Sequence, residues 1–285
     1  MKNAGISGFD MFEIGVPEED TMIAGGPAFL SDESCKVIKF VVSEAGSLGL
    51  QVGLNLARSW NAGGSWILPE NAGKSLYFSK TSIKGELKTQ KIKIPFPEVS
   101  ARGNVGRSYI PFGADGRPAY YEEVVLLAIP EESGKNHADT SRIINISAFF
   151  DPVTDKLTWN VPGGNWNIYR YVCSNSGQQL VMPSPLSAGL TVDHFDSASV
   201  RIHLMHIINR LAPVLGDFRN TALRSFYLAS YEARGFVWTP TLPSVFRKIN
   251  GYDIYKLIPS LFNKALFDDE TNGRVQNDFR KTFQN

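Results

Sequence analysis

Four stretches of this sequence run from β-prone residues into a polar or acidic side chain. Glu13 falls within Phe9 to Ile14, Asn55 and Trp60 go with Leu50 to Leu56, Asp193 and Asp196 follow Gly189 to Val192, and Glu232 follows Leu223 to Leu228. In a parallel α/β barrel, reactive groups gather at the carboxyl ends of strands, where the loops converge over one mouth. Carboxylates at such ends suit hydrolysis of a glycosidic bond: one protonates the leaving oxygen while another activates water or attacks the sugar carbon. A strand-end carboxylate also has a plainer use, capping the next helix or pairing with an arginine. Glu232 stands out because Ser230 and Tyr231 precede it, and Ala233-Arg234-Gly235 and Trp238-Thr239-Pro240 follow. Its plainer use is an ion pair with Arg234 or another arginine.

Other signals fail on inspection. Ala72-Gly73-Lys74-Ser75 has the end of a phosphate loop, but Leu68 stands where the first glycine belongs and a Trp/Pro loop precedes it instead of a strand. His203 and His206 share a helix face inside an apolar run with no matching acid, which suits core or surface histidines better than metal ligands. Asn145-Ile146-Ser147 fits a glycosylation sequon but falls in a β-prone run, so it is read as chance. Cys35 and Cys173 suggest neither a disulfide framework nor a thiolate cluster. Twenty-nine Lys and Arg against 28 Asp and Glu leave a net charge of +1 with no long run of one sign, so nucleic acid and membrane are not expected partners. Export would need a signal outside this chain, since its N-terminus lacks the basic-then-apolar layout of a leader. The sequence suggests no organic cofactor.

Positioning these groups falls to the surrounding elements. Ser31 is a candidate N-cap, with Asp32 and Glu33 in the first turn, for a helix showing Val37, Val41, Ala45 and Leu48 on one face and ending at Gly49. Strand, helix, strand in that order is the βαβ signature of a parallel sheet. From about residue 74 to 182 the pattern changes to short β-prone runs between turn-rich loops, with Trp159 and Trp166 placed for hairpin packing. The α/β rhythm then returns. A helix shows Val200, Leu204, Ile207, Ile208 and Leu211 at helical spacing, with Pro213 expected to close it. The reading is therefore α/β: a partial (β/α)8 TIM-type barrel over 1–73 and 183–285, interrupted by an inserted all-β, sandwich-like domain over 74–182. About four barrel-type strands are half of what closure needs, so a piece truncated at both ends is expected.

Assembled, these motifs resemble glycoside hydrolase family 106, the α-L-rhamnosidases. Gly8-Phe9-Asp10-Met11-Phe12-Glu13-Ile14-Gly15 looks like that family's second barrel strand, and Ser59-Trp60-Asn61-Ala62-Gly63-Gly64-Ser65-Trp66-Ile67-Leu68-Pro69-Glu70 is similar to its tryptophan- and glycine-rich loop, with Ser65 in place of the usual proline. Gly189-Leu190-Thr191-Val192-Asp193, Ser230-Tyr231-Glu232 with Trp238-Thr239-Pro240, and Gly251-Tyr252-Asp253 match further blocks. Ala229 departs from the family's usual Asp. The resemblance implies release of terminal α-linked L-rhamnose from a rhamnose-containing glycan, by inversion and with calcium assisting. It makes Glu232 the acid, Asn55, Trp60, Trp66, Asp193, Asp196, Tyr231 and Trp238 the substrate-binding set, and puts the second carboxylate beyond Asn285. A non-catalytic sugar-binding relative, with Ala229 marking a decayed site, is the alternative. Strand-end carboxylates alone do not encode which sugar is bound.

Overall fold

The computed structural model describes residues 2–15, 26–58, 60–100, 109–131, 137–183, 187–232 and 236–284. In chain order they form β1 (Gly8–Glu13), α1 (Asp32–Ser47), β2 (Gln51–Arg58), β3 (Gly63–Gly64), β4 (Lys74–Gly85) and β5 (Lys88–Lys93). Next come β6 (Tyr121–Pro130), β7 (Ile144–Asn145), β8 (Phe150–Asp151), β9 (Lys156–Val161), β10 (Gly164–Asn175) and β11 (Leu190–Thr191). The remainder is α2 (Ser197–Leu215), β12 (Leu223–Tyr227), β13 (Val237–Trp238), α3 (Leu242–Asn250), α4 (Ile258–Phe262) and α5 (Asp269–Thr282). No helix among the described residues is long and apolar enough to cross a membrane. Contacts gather the chain into two compact units, one of residues 1–74, 100–120 and 175–237, the other of 75–99, 121–174 and 238–285.

The first unit is built on a parallel sheet of order β1-β2-β12, with Gly8 opposite Gln51 at one side of β2 and Tyr227 opposite Asn55 at the other. Ser31 caps α1 by accepting from the Ser34 N–H at 3.2 Å, and Gly49 leaves it at φ +67. Cys35, Ile38, Val42 and Ala45 of α1 pack with Val52 and Leu54 of β2 and Ile207 and Leu211 of α2. This corrects the expected face: Val37 is 52% exposed and Leu48 56%. Both stripes have helical spacing, so periodicity could not choose between them, and contact with the sheet does. On α2 the buried residues are Ser199, His203, Ile207 and Leu211, and Pro213 sits inside the helix, which continues to Leu215. A proline near a helix end removes only one late bond, and the Gly216 N–H still reaches Ala212 O at 2.9 Å.

Three parallel strands, not four, are present among the described residues. The expected strand at Gly189 to Asp193 is the two-residue β11, which pairs antiparallel with β3, Leu190 opposite Gly64 and Thr191 opposite Gly63. Glycines make that approach possible: a Cβ on Gly189 would stand 2.1 Å from the Gly64 carbonyl carbon. The α/β character stands, and a closed barrel is not formed by these residues.

The second unit holds a five-stranded sheet of order β13-β4-β10-β6-β7 and a three-stranded sheet of order β5-β9-β8. Alternation along β9, with Leu157, Trp159 and Val161 inward, builds a core with Leu126, Trp166 and Ile168. Trp159 and Trp166 meet edge to face at 5.5 Å, but β9 and β10 belong to different sheets, so this contact links the two sheets and is not the expected hairpin packing. The expected run from Ile143 to Phe149 is only β7 followed by a 3-10 turn. Helices α3, α4 and α5, which the sequence reading gives to the barrel, group by contacts with this unit.

Candidate active site

Because β2 and β12 are parallel neighbours, the chain leaves both at the same edge of the sheet. Two loops meet there. The Ser230 N–H reaches Trp60 O at 3.4 Å, and the buried Asn61 holds Glu232 by its main chain from both sides: Glu232 N–H donates to Asn61 Oδ1 at 2.7 Å, and Asn61 Nδ2 donates to Glu232 O at 3.1 Å. Gln178 Nε2 donates to the same carbonyl. The Glu232 residue is exposed, with the Ser230 hydroxyl 3.4 Å from Oε1. The strand itself ends at Tyr227, so the acid stands in the loop after β12 and not on the strand.

Asp193, just after β11, completes the cleft and is 3% exposed. Its Oδ1 accepts from the Phe195 N–H at 3.1 Å and its Oδ2 from Lys74 Nζ at 3.1 Å. Lys74, set aside with the failed phosphate loop, is thus the buried counter-ion of the site. It also donates to Ala72 O at 3.1 Å and lies 5.1 Å from the centre of the Tyr120 ring. The Tyr231 ring is held between His194 at 4.7 Å and Phe195 at 5.3 Å. Burial, followed by the Asp193 charge, raises its phenol far above the ordinary tyrosine range, so it keeps its proton.

His194 was not singled out by the sequence. Its Nδ1 lies 2.8 Å from Val192 O, a contact that requires Nδ1–H. Burial pushes its pKa down against the opposing pull of Val192 O and Asp193, leaving a neutral ring. The cleft bordered by Asn61, Lys74, Asp193, His194, Tyr231 and Glu232 has a volume of about 20 Å³, room for one water-sized group.

The remaining expected residues do not line this cleft. Asn55 is buried in β2 opposite Tyr227. Trp60 packs edge to face on Phe12 at 5.5 Å. Trp66 has one face on His206 at 4.1 Å, while a Cβ on Gly64 would stand 2.5 Å from its ring. Its Nε1 donates to His203 Nδ1 at 3.3 Å, and His203 Nε2 donates to Leu56 O at 2.7 Å. Burial pushes the His203 pKa down to about 4. The indole is thus engaged by protein neighbours, stacked on His206 and packed close to Gly64. Asp196 is the N-cap of α2, accepting from the N–H groups of Ala198 and Ser199. Burial works to raise its pKa, but these bonds, the Ser199 hydroxyl and Lys74 lower it overall. Trp238 is 1% exposed in β13 of the five-stranded sheet. Ser59 and Arg234, the expected alternative partner of Glu232, lie outside the described residues.

The calcium expectation can be set against the side chains themselves. Calcium takes six to eight oxygen ligands, several of them carboxylates. Among the described residues no group of three or more His, Cys, Asp or Glu is placed to hold a metal ion. Asp193 is paired with Lys74 and Asp196 caps a helix, so these residues do not form such a cage.

Comparison with known proteins gives the site its context. A protein of Formosa agariphila named "Putative beta-glucuronidase" is 26% identical over 314 aligned positions, covering 99% of this chain and 25% of that protein. A solved rhamnosidase from Novosphingobium sp. PP1Y shares the fold at a TM-score of 0.71 and 16% identity, covering 99% of this chain and 41% of that one. The chain thus spans about a quarter of the first relative and well under half of the second. The α-L-rhamnosidase family model matches residues 1–142 and 117–285, and by that match the chain belongs to glycoside hydrolase family 106.

Proposed function

We propose that this chain carries the acid half of a glycosidase site that releases α-linked L-rhamnose, with Glu232 protonating the departing glycosidic oxygen. The observation that carries this reading is the grip of Asn61 on the Glu232 main chain, which fixes the backbone while the carboxyl group stays exposed at the cleft. General acids need that combination of fixed placement and access to the leaving group. Asp193 shares the cleft, but Lys74 and the Phe195 N–H occupy both of its oxygens, so it shapes the pocket and does not activate water. Inversion needs a second carboxylate roughly 6.5–9.5 Å from the first, which we assign to residues beyond the described ones.

The test is an assay of the full-length protein on aryl α-L-rhamnosides with and without Glu232→Gln. Loss of the acid should lower kcat by about 10²- to 10⁴-fold, least for the best leaving groups. An unchanged rate removes Glu232 from the mechanism, and rhamnoside binding without turnover favours the non-catalytic alternative. A β-glucuronide substrate is the second reading, favoured by the name of the Formosa relative and by a buried ammonium at the cleft. Asp193 already compensates Lys74, however, which weighs against a uronate carboxylate there. Aryl β-D-glucuronides assayed in parallel decide between the two.

A further inference from the structure

His194 presents a chemical group that nothing among the described residues uses. With its Nδ1–H on Val192 O at 2.8 Å, the neutral ring carries a lone pair on Nε2. That atom is buried and meets no hydrogen-bond partner among the described residues. A buried acceptor left bare costs folding free energy, and the cleft that this ring borders has room for one donor group. The ring borders the same small cleft as Tyr231 and Glu232 and lies 4.7 Å from the Tyr231 ring.

We infer that His194 is a substrate-binding residue whose Nε2 accepts one hydroxyl of a sugar bound over this cleft, which has room for that single group. The inference rests on the carbohydrate reading of the site and adds the class of group that the site recognises. A lone-pair nitrogen takes only an O–H or N–H donor. An ionised carboxylate offers neither, so the group received is a hydroxyl, which neutral sugars and uronates both carry. The matching of a site acceptor to a substrate O–H is also a strong source of discrimination, because the analogue lacking that hydroxyl leaves the acceptor bare.

Two substitutions separate this role from mere packing. His194→Gln keeps an acceptor but loses the ring, and His194→Phe keeps a ring against Tyr231 but loses the acceptor. The dissociation constant for methyl α-L-rhamnopyranoside is measured by calorimetry with the full-length protein, in wild type and both variants. Phe should weaken binding by about tenfold or more, and Gln by clearly less. The reverse order, or equal affinities, overturns the inference. So does absence of rhamnoside binding by the wild type, which also removes the rhamnosidase reading. Normal turnover with indifferent His194 variants sinks this inference alone, and the expected order together with an inert Glu232→Gln sinks the acid assignment alone. As a check that does not depend on substrate, nitrogen NMR of the histidine-labelled chain should show His194 as the Nδ1–H tautomer, and an Nε2–H signal overturns the assignment.

Discussion

At the cleft, two residues with opposite needs stand side by side. Glu232 is exposed, as the proposed acid must be, whereas Asp193 is enclosed. Asp193 is paired with Lys74, whose side chain is 2% exposed against 4% for Asp193. Such a buried pair is weak as a source of net stability but strongly destabilising once broken, because the remaining charge has no solvent. Lys74→Met should therefore lower the unfolding free energy by roughly 3–5 kcal/mol, read as a lower urea midpoint, and Lys74→Met with Asp193→Asn should recover much of that loss. Equal losses in the single and double variants would show that the pair does not couple. Glu232 was legible in the sequence because its neighbours form a block that also marks the family. Lys74 was not, since its partner lies 119 positions away and the nearest local pattern pointed to phosphate. His194 was equally silent, because a tautomer is set by a carbonyl that only the folded turn brings near.

Among elements, what was readable is what is decided locally. The Ser31 cap, the glycine exit of α1 and the strand–helix–strand order all depend on neighbours within a few positions. The faces of α1 and α2 were readable only in part, with Ala45, Ile207 and Leu211 buried as expected, because both helices carry apolar residues on more than one stripe and packing chooses among them. Helix α2 also illustrates a cost hidden from sequence. His203 is fully enclosed as a hydrogen-bonded link between the Trp66 indole and Leu56 O, and protonation would break its acceptance from Trp66. Its pKa falls from 6.5 to about 4 on folding, so between those values the unfolded chain binds the extra proton. Stability attributable to this site is fully present above about pH 6.5 and declines as pH falls toward 4, by about 3 kcal/mol over the interval. Urea midpoints measured across that range should show the decline, and His203→Gln should flatten it. A wild-type profile level from pH 7 to 4 would mean that the ring charges in the folded state.

On the scale of the whole molecule, the sequence suggests one insertion into one barrel, whereas contacts gather discontinuous stretches into two units, with the last helices on the side of the β-rich one. Such grouping depends on contacts between distant positions, for which composition and periodicity carry no signal. Each unit has its own core: Ile38, Val52 and Ile207 in the first, Leu126, Leu157 and Ile168 in the second, with no residue in common. The second also encloses Arg170, fully buried, bonded to Glu123 at 2.5 Å and Asp155 at 2.8 Å, and lying 5.0 Å from the Phe96 ring and 4.7 Å from the Phe150 ring. Replacing it with methionine leaves two carboxylates without their cation, and Gly189→Ala forces apart the close approach of β3 and β11 in the first unit. If the cores are energetically separate, each substitution should cost amide protection in its own unit and spare the other, because sub-global opening follows cooperative units and not chain order. Hydrogen exchange read by mass spectrometry resolves this: Arg170→Met should expose β6, β9 and β10 while β2 and α1 keep their protection, and Gly189→Ala should do the converse. Loss spread evenly over both units in either variant would show that the chain folds as a single cooperative body.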